Sequence, residues 1–153
     1  MSHQDDPFAH AEHTAHAWLR RITDDLATDD RVFAHRVLRA WLHTVRDRLE
    51  VDSAAHLSAQ LPELLRGMFF EGWVPARVPV PPSSSAFITE FAVEAGVNED
   101  EAVGVIWLVS EAMRDLLAPG QLARTCAVFP ARLRDLLLGV STGPFDEQPT
   151  EVG

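Results

Sequence analysis

Ala34-His35-Arg36-Val37-Leu38-Arg39-Ala40-Trp41-Leu42-His43-Thr44-Val45-Arg46-Asp47-Arg48-Leu49 decides the fold. Ala34, Val37, Leu38, Trp41, Val45 and Leu49 recur in steps of three and four, which places them on one face of a helix. Asp29 or Asp30 can cap its start. The same pattern returns after an offset of 68 residues: 34–69 slides onto 102–137 without a gap, and ten of 36 positions are identical. These are Ala34/Ala102, Val37/Val105, Arg46/Arg114, Asp47/Asp115, Leu49/Leu117, Ala55/Ala123, Ala59/Ala127, Pro62/Pro130, Leu65/Leu133 and Arg66/Arg134. Ordinary residue frequencies give about three matches by chance. With one residue gapped, Trp18/Phe87 and Ile22/Phe91 also align. The sequence therefore predicts an all-α chain, a tandem duplication of a four-helix unit packed as one compact domain.

Working outward, Ala9 to Leu26 reads as a helix with Trp18, Ile22 and Leu26 inward. Asp52 or Ser53 can cap a short third helix through Ala59, and Pro62 opens a fourth over Glu63 to Phe69. Val74-Pro75-Ala76-Arg77-Val78-Pro79-Val80-Pro81-Pro82 holds four prolines in nine residues, which predicts an extended polyproline-like connector. Ser84 or Ser85 can cap the next helix, which buries Phe87, Phe91 and Ala95 and stops at Gly96. Asn98 with Glu101 resembles a capping box. The long helix behind it turns Ala102, Val105, Ile106, Val109, Met113, Leu116 and Leu117 inward. Pro119 opens a short helix to about Val128, and Pro130 a last one to Leu138. The expected organisation is a first copy over 9–73, a connector over 74–85, a second copy over 86–138 and a disordered tail over 139–153.

Composition narrows the function. The chain has 153 residues and a net charge of −10, and all 13 basic residues are arginine. Without lysine there is no P-loop or Schiff-base chemistry. The halves before and after Trp73 carry −4 and −6, from 8 Arg against 12 acids and 5 Arg against 11. An acidic chain is a poor nonspecific nucleic-acid binder, so nucleic acid is an unlikely partner. Cys126 stands alone, which excludes a disulfide within the chain or a CxxC site, and it reads as a small buried helix residue. The acidic start is not a signal peptide, and no apolar run reaches the ~20 residues of a membrane helix. A cytoplasmic location is expected.

Leu38-Arg39-Ala40-Trp41-Leu42-His43, Ala54-Ala55-His56-Leu57-Ser58-Ala59-Gln60-Leu61-Pro62-Glu63-Leu64-Leu65-Arg66-Gly67 and Phe69-Phe70-Glu71-Gly72-Trp73 resemble a bacterial domain of unknown function catalogued under the number 2267. The likeness covers about Trp18 to Leu138 and is specific in the first copy. The second lacks the Gln-Leu-Pro string and has Phe129-Pro130. The resemblance implies a small all-helical protein, found among actinobacteria and other soil bacteria and sometimes near stress-related genes. It assigns no activity to any residue.

The remaining candidates are surface features. Arg36, Arg39, His43 and Arg46 line the face of the long helix opposite its apolar row, either as a solvated face or as a docking stripe for an acidic partner. Trp107 falls outside the core row of its own copy and is a candidate anchor for a partner chain. Phe70, Trp73 and Phe91 suggest an apolar seam between the copies, either packed shut or lining a ligand pocket. His10, His13 and His16 are spaced in threes, but the sweep is too wide for one ion, so no metal or cofactor is assigned. The recurring Arg and Asp predict internal pairs, Asp47 with Arg66 and Asp115 with Arg134; the sharper alternative is a pseudo-symmetric anion site. No catalytic motif stands out. The expected function is a non-enzymatic interaction protein that docks or self-associates through a helix face; the alternatives are a binder of a small apolar ligand at the seam between the copies and a nucleic-acid-associated regulator, which the acidic charge disfavours.

Overall fold

A computed structural model describes residues 6–139. Among them are eight α-helices and no strand. They are α1 (Ala9–Asp25), α2 (Arg31–Asp47), α3 (Val51–Ser58), α4 (Glu63–Phe70), α5 (Ser84–Ala95), α6 (Glu99–Leu116), α7 (Gln121–Cys126) and α8 (Ala131–Leu138). The expected tail beyond Gly139 lies outside the described residues.

The helix boundaries follow local chemistry, with some corrections. Asp30 caps α2, its carboxylate accepting from the Phe33 amide at 3.0 Å. Glu50, not Asp52 or Ser53, is the N-cap of α3, and Asp52 falls in its first turn. Ser83, one residue ahead of the expected pair, caps α5 by accepting from the Ala86 amide at 3.2 Å. Asn98 begins α6 without a side-chain cap bond, so no capping box forms. Pro62 and Pro130 are N-caps in extended backbone, not first-turn residues. Gly120 opens α7, which ends at Cys126. The connector is not uniformly extended: Pro75–Arg77 forms one 3-10 turn, and the Val80 amide donates to the Asp47 carbonyl at 2.8 Å, which ties the connector to the end of α2.

Packing repeats along the chain. α1 lies against α2 and α6, and α5 lies against α6 and α2. α4 sits on α1 and α2, whereas α8 sits on α5 and α6. Exchanging α1–α4 with α5–α8 maps each of these contacts onto another. Residues related by the 68-residue offset share the core: Leu38/Ile106, Trp41/Val109, Leu49/Leu117, Leu61/Phe129, Leu65/Leu133 and Phe69/Leu137 are all buried. The inward rows of α1 and α6 are looser at their edges, since Trp18, Leu26, Val105 and Leu116 are only half-buried.

α2 is the central helix. From Val37 to Leu49 all its side chains but Arg39 and Asp47 are buried. The Trp41 indole Nε1 donates to Ser110 Oγ at 2.9 Å, a buried bond that joins the two long helices. A buried indole N–H left unpaired would cost about 1–3 kcal/mol, so this contact fixes register as well as filling space.

Candidate functional site

A helix end exposes carbonyls that no later amide can reach. The arginines of this chain answer that need. Arg46 Nη1 donates to the carbonyls of Phe69 and Glu71, both at 2.8 Å, at the end of α4. Arg114 Nη1 donates to Leu138 O at the end of α8. Arg66 Nη2 reaches Leu61 O at 2.9 Å and Arg134 Nη1 reaches Phe129 O at 3.1 Å, again an equivalent pair. The expected Asp47–Arg66 and Asp115–Arg134 pairs are absent. Asp47 is taken by Arg46 Nε at 2.8 Å, and Asp115 by Arg21 of α1 at 3.0 Å. With their guanidiniums on internal carbonyls, these arginines do not assemble an anion site.

The face of α2 opposite the apolar row is not a solvated stripe. Arg46 and His43 are buried, Arg39 is half-buried and Arg36 is exposed. α5 covers this face. Arg36 Nε donates to Ala95 O at 2.8 Å, Arg39 Nη1 to Glu94 Oε2 at 3.2 Å and Arg48 Nη1 to Glu90 Oε1 at 3.0 Å. The Arg48 guanidinium also lies over the Phe87 ring, 5.3 Å from its centre. Gly96 ends α5 with φ +74°, and an added Cβ would come within 3.2 Å of Arg36 Nε.

His43 links α2 to the ends of α4 and α5. Its Nε2 is 2.8 Å from the Met68 carbonyl, which can only accept, so Nε2 carries a proton. Its Nδ1 is 2.6 Å from Glu94 Oε2. Arg39 Nε completes the network on Glu71 Oε1 at 2.9 Å. That bond, with the charge behind it, holds the Glu71 carboxyl below the usual glutamate range.

Glu71 and Met68 also form part of the wall of an apolar cavity of about 380 Å³. α1 contributes Glu12, Ala15, His16 and Leu19; α2 contributes His35 and Leu38; α4 contributes Leu64, Leu65 and Met68. The floor is aliphatic and the polar groups stand at the edge, the usual division of labour in a small-molecule site. A polar cleft of about 640 Å³ shares His16 and Leu19 with it and continues to Arg20, Asp24, Asp29 and Arg31. The expected seam lies elsewhere. Phe91 is fully buried, and Phe70 and Trp73 are half-buried and packed on each other at 5.0 Å; none of the three lines this cavity. Reading by sequence missed the cavity. One signal was present: Leu64, half-exposed here, aligns with Arg132 in the second half.

The second half differs at the places that build the polar network. Trp107, Glu111, Arg114 and Gly139 surround a small depression of about 130 Å³. Trp107 is 49% exposed and Leu108 beside it 37%. His10, His13 and His16 are all exposed on α1. Among the described residues, no three His, Cys, Asp or Glu side chains are placed to hold a metal ion. Cys126 is buried, and burial pushes its thiol up to about 12, so it stays protonated and unreactive at neutral pH. No described helix is long and apolar enough to cross a membrane.

A search of curated proteins finds no match. The sequence model of one family, described as an uncharacterized conserved protein, matches residues 15–136, a span that holds nearly all of α1 through α8 and most of the cavity wall. The chain thus belongs to the DUF2267 family.

Proposed function

We propose that this chain is a non-enzymatic binding protein that takes a small apolar molecule into the cavity between α1, α2 and α4. The observation that carries this reading is the cavity itself, about 380 Å³ with an aliphatic floor and a polar edge. Its volume lies in the range of known ligand sites, roughly 300–1,000 Å³. Native mass spectrometry of gently purified protein tests it: a defined adduct, lost when Leu64→Trp plugs the half-exposed mouth, is the expected result. An adduct retained by that variant, or its absence together with no binding of added aliphatic molecules, overturns the reading. We read the 68-residue offset as a tandem duplication in which the first copy carries the cavity.

Docking to a protein partner keeps one specific observation, the half-exposed Trp107 on α6. The arginine stripe supports it less, because Arg46 is buried and Arg36 and Arg39 are bonded within the chain. A cytoplasmic setting belongs to the same reading.

A further inference from the structure

We infer that the cavity selects an aliphatic molecule with a cationic head, an alkyl ammonium, over one with a carboxylate head; this rests on the ligand-binding reading above. The aliphatic body has one place to go, the floor formed by Leu19, Leu38, Leu65 and Met68. The head must then remain at the mouth, where the surrounding charges choose between cation and anion. At the cavity mouth stand two carboxylates, Glu12 and Glu71, with His16 and His35. Arg39, which also pairs with Glu94, holds Glu71 in a 2.9 Å ion pair, whereas Glu12 makes no ion pair among the described residues. His16 and Leu19 also line the neighbouring polar cleft, where Asp24 and Asp29 balance Arg20 and Arg31. Counted over carboxylates and arginines, the cleft is therefore even, whereas the cavity mouth keeps the unpaired charge of Glu12. The whole chain adds a net charge of −10, which raises the local concentration of cations and lowers that of anions. An ammonium gains at the Glu12 mouth and meets an electrically even cleft beyond it; a carboxylate is repelled at the mouth and gains nothing from the cleft.

The test is calorimetric titration of the full chain with octylamine, octanol and octanoate at pH 8 and low salt. The expected order is octylamine tightest, octanol next and octanoate at least tenfold weaker than the amine. Affinity should rise about fourfold for each CH₂ added to the amine until the cavity is full. Glu12→Gln, an exposed substitution, should bring the amine down to the level of the alcohol. Added salt should narrow the gap in the same direction. If the three heads bind equally, or octanoate binds best, the cationic class is wrong while the cavity reading stands. If none of the three binds, the cavity reading falls with it. Octylamine that binds Leu64→Trp as well as the parent chain sits on the acidic surface instead, and that outcome overturns the inference too.

Discussion

Arg39, His43, Arg46 and Glu71 in the first half occupy the same four places, at an offset of 68, as Trp107, Glu111, Arg114 and Gly139 in the second. In the first set His43 and Arg46 are buried, and the set is joined by hydrogen bonds to Glu94 of α5 and to the end of α4. The second surrounds an open depression beside a half-exposed tryptophan. Both halves keep the arginine that caps the last helix. They differ in whether a neighbouring helix supplies an acceptor for the rest. A shared backbone plan thus leaves one corner free to become an internal clasp and its counterpart free to face solvent.

The sharpest way to break this comparison is to remove the shared arginine from each side. Arg46→Ala leaves the buried Phe69 carbonyl and the part-buried Glu71 carbonyl without their donor and should cost about 3 kcal/mol. Arg114→Ala, at an exposed position, should cost about 0.5–1 kcal/mol. Urea unfolding of the two variants measures both, and equal losses would show that the clasp adds nothing. The helix ends give the next contrast. Gly96 closes α5 at φ +74°, while Ala27 takes φ 54° after α1 at the matching place. Gly96→Ala should destabilise by about 1–2 kcal/mol, and Ala27→Gly should stabilise by up to about 1 kcal/mol, both read as shifts in the urea midpoint.

Acid separates the halves again. Arg39 lowers the folded-state pKa of Glu71 below its unfolded value. Its stabilisation is present above the ordinary glutamate range and is lost as pH falls through the lowered folded value. Gly139, the matching residue, has no carboxylate to titrate. Glu71→Gln should therefore flatten the acid limb of stability against pH, and an unchanged limb would remove Glu71 from the clasp. The smallest expected effect is at Trp107. Trp107→Ala should move stability by no more than about 0.5 kcal/mol, because the side chain is half outside the core. A loss several times larger in thermal unfolding would make Trp107 a packing residue.

Much of this was legible in the sequence. The apolar rows of α2 and α6 follow from helical period, and the identities at an offset of 68 fall largely on core or helix-capping positions. What could not be read was the direction of the charged face of α2. Periodicity assigns charge to solvent, yet Arg46 and His43 are buried because the ends of α4 and α5 present acceptors there. Those acceptors come from Met68, Phe69, Glu71 and Glu94, all more than twenty residues away in the chain. The cavity was hidden for a related reason. Its walls come from three helices, and only their mutual placement leaves Leu38, Leu65 and Met68 around an unfilled space.

The contact of α5 with α2 also orders events during synthesis. The arginine-rich face of α2 has no cover until the ribosome has made the chain through Ala95. At ~5–20 residues per second, that leaves a nascent chain whose central helix waits several seconds for its partner. Until then, an α5 from a neighbouring nascent chain could fill the same place. The proline-rich stretch between the halves, anchored by Val80 to the end of α2, keeps the chain's own α5 close and so favours the intramolecular match.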